Sequence, residues 1–302
     1  MEASVDQSRG AEGKADVPQQ PHSRPLATER FRVIGHLVRE RGSVRVGELA
    51  ERFGVTDETI RRDLARLEEM GVVERSYGGA VAPRPDAETT YSGRLLEHSE
   101  AKVAIAARAA ELVEDGDALI LDAGTTTLCL VRALAPRRDL FVATNAVTHA
   151  LELAANPRIT VVVIGGLLRQ STFGAVGDLA IGMLRELHVQ RTFLAIHSVS
   201  ARAGLSNPRL DEVGIKRAMM AAASEVILLA DHSKIGRETL VRVAPLEDVD
   251  RIITSQGADP AEVQAIRDLG VEVEVVPVRS EQPDRGVQDP PETAALGTQG
   301  MD

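Results

Sequence analysis

Apolar residues recur three and four positions apart through 46–70 with one interruption, and that period predicts two short helices in succession. In the first, Val46, Leu49, Ala50 and Phe53 form the stripe, and Gly54 follows where a helix end needs a residue tolerant of positive φ. Thr56 then stands where its hydroxyl can cap a second helix, with Asp57 and Glu58 in the first turn to complement the helix dipole. Ile60, Leu64, Leu67 and Met70 make the second stripe, Thr59, Arg61, Arg62 and Arg66 fall outside it, and Gly71 ends it. Residues 72–75 predict a short strand, and Tyr77-Gly78-Gly79 a tip at which backbone can approach a phosphate closely. A preceding helix over 28–41, with Phe31, Ile34, Leu37 and Val38 inward, completes a three-helix core. This order of elements, a winged helix-turn-helix, is one that lays a helix in the major groove of double-stranded DNA. The candidate DNA contacts are Thr56, Thr59, Arg61, Arg62, Arg66, Arg75, Tyr77, Gly78 and Gly79.

Past residue 99 the pattern changes to short apolar runs alternating with helical stretches, the mark of βα units around a mainly parallel sheet. Strands are expected at 118–121, 140–143, 160–164, 192–196, 226–230, 251–254 and 271–276. The fold class expected is thus an α+β winged helix-turn-helix domain followed by an α/β domain with a mainly parallel sheet. Sheets of this kind take ligands at the carboxyl ends of their strands, so chemistry is sought there. After the first strand comes Asp122-Ala123-Gly124-Thr125-Thr126-Thr127, a glycine and hydroxyls opening a helix, which suits a phosphate and equally suits an ordinary helix cap. Further strand ends carry Thr144-Asn145, Gly165-Gly166 and Asp231-His232-Ser233-Lys234. Lys234 as a point charge and Thr125 to Thr127 as hydroxyl and amide donors fit an anionic sugar better than a neutral one.

Composition refines this picture at three points. The net charge of −10 looks wrong for a DNA binder until it is divided: residues 24–84 hold 12 arginines and 10 carboxylates, +2, which leaves −12 for the rest. The acidic excess outside the reader would discourage indiscriminate adhesion to DNA. Residues 1–25 and 280–302 are poor in apolar side chains and are expected to be disordered tails, while 83–98, polar and with two prolines, is expected to be a linker between a 26–82 reader and a 99–279 sensor. Cys129 is the one cysteine and lies in an apolar run, so no disulfide, zinc site or other cofactor is implied. No apolar run approaches the roughly 18 residues of a membrane span and no signal-peptide core opens the chain, so a cytoplasmic protein is expected.

Residues 28–80, above all ELAERFGVTDETIRRDLARLEEMGVVER followed by GGA, resemble the N-terminal domain of DeoR-type transcriptional regulators. The segments Asp122 to Thr127, Thr144-Asn145, Gly165-Gly166, the pair Glu212 and Lys216, and Asp231 to Lys234 match in order the motifs of that family's sensor domain. The resemblance implies a fold similar to ribose-5-phosphate isomerase and a phosphorylated sugar as effector. It implies that Gly124, Thr125, Thr126 and Thr127 hold phosphate and that Asp122, Thr144, Asn145, Gly165, Gly166, Glu212, Lys216, Asp231 and Lys234 line the site. Two departures stand out: Tyr77, where the family more often has histidine, and Ala195-Ile196-His197-Ser198-Val199-Ser200, where it usually has a glycine-rich segment often containing aspartate. On residues alone, Glu212 and Lys216 are also readable as a mere helix-surface pair, and His197 as a structural histidine. The function expected is a repressor, a homo-oligomer released from its operator by a phosphorylated sugar or similar metabolite. The alternative is a sugar-phosphate isomerase with an appended DNA-binding domain, in which Asp122 or Glu212 serves as general base.

Overall fold

Gly42 and Gly54 punctuate the first unit. Both adopt left-handed φ, 76° and 62°, and each ends a helix: α1 (Ala27–Arg41) and, after strand β1 (Ser43–Arg45), α2 (Val46–Phe53). Helix α3 (Asp57–Glu69) starts at Thr56, whose hydroxyl accepts from the Thr59 N–H at 3.2 Å. Strands β2 (Glu74–Ser76) and β3 (Gly79–Val81) form the wing, and β1 joins them in an antiparallel sheet ordered β1-β3-β2. Ile34, Leu37, Val38, Leu49, Phe53, Ile60, Leu64 and Leu67 are all buried, so the apolar stripes of the three helices meet as their spacing required. Phe31 is only half-buried. The protein is described from a computed structural model over residues 25–83 and 90–278. It divides between Ala87 and Glu88, and of the tails expected to be disordered at 1–25 and 280–302, all but Pro25 lies outside the described residues.

The second unit begins with α4 (Tyr91–Leu96), inside the stretch expected to be linker. Its single short turn of apolar residues is too brief to show a period, yet Tyr91 is buried edge-on against Phe173, and its hydroxyl lies 3.2 Å from that of Thr148. Then follow α5 (Ser99–Glu111), β4 (Ala118–Leu121), α6 (Thr125–Ala133), β5 (Leu140–Thr144), α7 (Val147–Leu153) and β6 (Ile159–Val163). A hairpin of β7 (Leu167–Arg169) and β8 (Gly174–Val176) leads into α8 (Asp178–Arg185) and β9 (Val189–Ala195). Strands β10 (Ser198–Ser200) and β11 (Gly204–Asn207) precede α9 (Val213–Ala221) and β12 (Ala223–Leu229). The chain continues through β13 (Val241–Ala244), β14 (Arg251–Ser255), α10 (Pro260–Asp268) and β15 (Glu272–Val276).

Seven of these strands form one parallel sheet in the order β15-β14-β12-β9-β4-β5-β6. Its middle strands are buried on both faces: Leu119 and Leu121 pack with α5 and α6 residues such as Ile105 and Leu130, while Ile120 turns to the opposite core with Leu184 and Met219. The seven expected strands are all present. Strands β9 and β12 begin three residues before their apolar runs, because their polar amino ends are tied by Arg191, which pairs with Asp117 at 2.7 Å and Glu225 at 2.8 Å. The antiparallel β7-β8 and β10-β11-β13 groups went unpredicted, since strands of three or four residues carry too little alternation to read. Among the described residues, no helix is long and apolar enough to cross a membrane.

Candidate functional site

In the first unit α3 offers its arginines outward. Arg61, Arg62 and Arg66 are exposed, as are Arg75, Tyr77 and Gly78 on the wing, while Thr56 caps α3 with its hydroxyl 3.0 Å from that of Thr59. Each arginine is braced by an acid of the same unit: Arg61 by Asp57 at 3.4 Å, Arg62 by Glu58 at 3.5 Å, Arg66 by Glu69 at 2.6 Å and Arg75 by Glu68 at 3.8 Å. Exposed pairs of this kind are worth at most about 1 kcal/mol, so they leave the guanidinium groups open to a competing anion at little cost. Gly79 is different. It is buried under the wing, and a Cβ there would lie 2.0 Å from the Val44 carbonyl oxygen, so close packing demands glycine. Asp63, in the middle of TIRRDL, faces inward and takes a two-pronged bond from Arg30 at 2.7 and 3.0 Å, which locks α1 to α3. No local pattern could show this pair, 33 residues apart.

In the second unit the sheet order places the site. The chain winds from β4 to β5 and β6 on one side and to β9, β12, β14 and β15 on the other, so the crevice beyond the carboxyl ends of β4 and β9 is the topological switch point. Asp122 follows β4 there and is almost wholly buried. Its carboxylate receives the Ala195 N–H at 3.1 Å and the Lys216 ammonium, which also donates to the Ala195 carbonyl at 2.8 Å. Burial holds the Asp122 carboxyl above its ordinary range against the pull of Lys216. Glu212 does not pair on a helix surface with Lys216. It accepts from the Asn207 amide at 2.7 Å and lies 3.3 Å from the Arg169 guanidinium. Burial alone would raise its pKa; Lys216, Asn207 and Arg169 more than offset that and leave it lowered.

His197 stands at the turn between β9 and β10, exposed at the rim but crowded. Desolvation and the nearby Lys234 push its pKa down to about 4, with Arg94 and Lys216 adding to the effect and Glu212 opposing it. Asp231 is buried, accepts from the Ser233 N–H at 3.0 Å, and is held ionised by Lys234, Ser233, His98 and Lys102 against its desolvation. Lys234 itself is half-buried and acts on these neighbours through space. Arg94, Lys102, Asn207 and Arg169 are members of this cluster that sequence reasoning missed. A signal existed for Lys102 alone: it shares the buried face of α5 with Ile105, Ala106 and Ala109, a position where lysine needs a reason. Burial lowers its pKa to about 8, and its ammonium donates to the Arg94 carbonyl.

The loop after β4 is built with the same care. The first intrahelical bond of α6 runs from the Leu128 N–H to the Gly124 carbonyl at 3.0 Å, which leaves the amides of Thr125 to Thr127 without helix partners. Thr127 is spent on the fold, its hydroxyl donating to the Asp122 carbonyl at 2.7 Å. So is Thr144, which donates to the Leu121 carbonyl at 2.8 Å. Asn145 clamps Ala123 by accepting its N–H at 2.9 Å and donates to the Ala175 carbonyl at 3.0 Å. Gly124 is extended, and a Cβ there would press to 2.6 Å from that of Ala195. Gly165 and Gly166 go elsewhere, packing against Met183 and against Val176 and Ala180.

His149 fastens this loop from beneath and was not anticipated. It is wholly buried on α7 with Nε2 3.1 Å from the Gly124 carbonyl, so Nε2 carries the proton and donates. Desolvation depresses its pKa from 6.5 to about 4. The unfolded chain therefore takes up a proton near pH 6.5 that the folded chain refuses until about pH 4, so the stability from neutral His149 is present above 6.5 and is lost as pH falls through that window. The loss reaches roughly 3 kcal/mol. Urea unfolding at pH 7, 5 and 4 should show His149→Gln with a distinctly shallower loss than the unchanged protein; equal slopes would remove His149 as the cause.

A winged helix-turn-helix joined in one chain to an α/β unit with a charged crevice at its switch point defines a DNA-binding regulator with a sensor. Residues 30–86 match the DeoR-like helix-turn-helix domain and residues 97–256 the DeoR C-terminal sensor domain. The chain belongs to the DeoR family of transcriptional regulators. It is 39% identical over 84% of its length to the uncharacterized HTH-type transcriptional regulator YulB of Bacillus subtilis, covering 98% of that protein. It is 36% identical to the HTH-type transcriptional regulator GlpR of Haloferax volcanii (82% of this chain, 97% of that one). It is 30% identical to the glycerol-3-phosphate regulon repressor of Escherichia coli (82% and 98%). Ribose 5-phosphate isomerase A of Methanocaldococcus jannaschii overlaps 44% of this chain and 52% of its own at 19% identity and a TM-score of 0.32, from which nothing about chemistry follows. With relatives named as regulators over nearly their whole length, the regulator reading stands over the isomerase one.

Proposed function

We propose that the protein is a cytoplasmic repressor of sugar or related carbon-metabolism genes, acting as a homo-oligomer and released from its operator by a phosphorylated sugar or similar metabolite bound in the β4/β9 crevice. The observation that carries this reading is the buried Asp122–Lys216 pair at the switch point, flanked by Lys234, His197 and Arg94. The amides of Thr125 to Thr127, the hydroxyls of Thr125 and Thr126, and Lys234 would take the phosphate; Asp122, Glu212 and Asn207 would meet sugar hydroxyls. Two relatives' names, the glycerol-3-phosphate regulon repressor and a putative aga operon transcriptional repressor, agree with a repressor of carbon metabolism.

Release needs the effector to bind one state better than the other, and a hundredfold loss of operator affinity needs about 2.7 kcal/mol of coupling. Helix α4, the first element after the segment that leads from the reader, supplies a route. Its Arg94 side chain donates to the Ser171 carbonyl while its backbone carbonyl holds Lys102, so an anion that draws on either residue pulls on that end of the chain. The test is fluorescence anisotropy of the DNA upstream of the protein's own gene at fixed salt, with and without a panel of phosphorylated sugars. Relief of binding by one of them supports the reading; binding that no metabolite alters defeats the sensor half. Lys234→Ala should bind operator within about twofold of the unchanged protein yet fail to respond to the inducer, since Lys234 supplies a point charge to the phosphate. A normal response would remove Lys234 from the site.

A further inference from the structure

The two edges of the seven-stranded sheet differ in character. At one, β15 carries Glu272 and Glu274, both paired with Arg251, and charges of that kind discourage a further strand from joining. At the other, β6 reads Ile-Thr-Val-Val-Val with no charge, and β5 is its one neighbour in the sheet. The apolar surface continues from that edge. Val163 is 50% exposed, Leu167 75%, Leu168 47%, Leu179 77% and Met183 40%. The Gly165 N–H donates to the Met183 sulfur at 3.4 Å, which brings the end of β6 beside the exposed Leu179–Met183 side of α8, and the hairpin follows directly at Leu167.

We propose that this patch is where two copies of the chain join, β6 beside β6 across a twofold axis. An edge strand related to itself by a twofold meets its copy antiparallel, so one operation pairs the free strand edges and brings the two apolar patches together. β6 itself carries no charge, so two copies of it meet without like-charge repulsion along the strand. The five side chains expose on the order of 500 Å², at the upper end of what a monomer's surface carries, and the strand edge beside them brings the roughly 800 Å² per partner of a stable interface within reach. The chain's own remaining segments are poor candidates to cover it. Residues 1–24 hold Met1, Val5 and Val17, 84–89 hold none, and 279–302 hold Val287, Leu296 and Met301, as their large apolar side chains. The inference rests on the homo-oligomer reading above, gives it an interface, and is independent of the effector.

Sedimentation velocity of the full chain at about 10 µM, without DNA or metabolite, tests it. The unchanged protein should sediment as a dimer or a multiple of one, and Leu179→Glu and, separately, Val163→Lys should lower it with unchanged circular dichroism, a dimer to single chains of 32.4 kDa and a larger assembly to the units its other interface holds. Leu269→Glu, an equally simple change at an exposed leucine outside the patch, should leave the assembly as it was. An unchanged protein that sediments as single chains, or patch variants that keep its assembly, would overturn the proposal, whatever the fate of the sugar-phosphate reading.

Discussion

Replacing Arg61 and Arg62 together by alanine is expected to abolish operator binding at concentrations where the unchanged protein saturates its site. Both guanidinium groups project from α3 into solvent, and both are braced only by the exposed acids Asp57 and Glu58. Contacts of such arginines to guanine are each worth about 1–3 kcal/mol, so losing two weakens binding by roughly thirtyfold to twenty-five-thousandfold. Thermal stability should stay within a degree or two, because exposed pairs contribute little to folding. A salt titration of the two single variants separates the roles: a residue on phosphate lowers the salt dependence of binding by about one ion, whereas a residue on a base edge lowers affinity and relaxes sequence preference. Operator affinity that survives the double change would show that α3 is not the reading helix.

The reader was legible in the sequence because its determinants are local. The stripes of Val46 to Phe53 and Ile60 to Met70, the cap at Thr56 and the glycine at position 54 each act within a few residues, and all appear where their spacing puts them. The lock between Arg30 and Asp63 was not legible, since a pair formed 33 residues apart leaves no periodic trace. The sensor's strands were legible as apolar runs, but their order was not. Order decides which strand ends meet: Asp122 and Ala195 come together because β4 and β9 are neighbours, whereas Gly165-Gly166 lies at the far edge after β6. For the same reason a list of strand ends does not say which of its residues stand together. The hydroxyls of Thr127 and Thr144 and the side-chain amide of Asn145 are committed to Asp122, Leu121, Ala123 and Ala175, and shape the loop. His149 and Lys102, which hold that loop and α4, carry chemistry on apolar helix faces where the bland reading is a core position.

The buried pair of Asp122 and Lys216 carries the second large expectation. Lys216→Met leaves a buried carboxylate whose remaining hydrogen bond, from the Ala195 N–H, is neutral, and such a half-broken pair destabilises by about 3–5 kcal/mol. Asp122→Leu leaves a buried ammonium and should cost about as much. The double variant should cost less than either single change, because two apolar side chains of similar volume remove both charges at once. Thermal unfolding of the four proteins closes this cycle. Inducer response gives the other half: if the pair orients a sugar's hydroxyls, the double variant is restored toward full stability yet blind to the inducer. Recovery of both stability and response in the double variant would make the pair a fastening between β4, β9 and α9 and nothing more. A double variant no more stable than Lys216→Met would instead mean that the crevice requires charge at its centre in order to hold its shape.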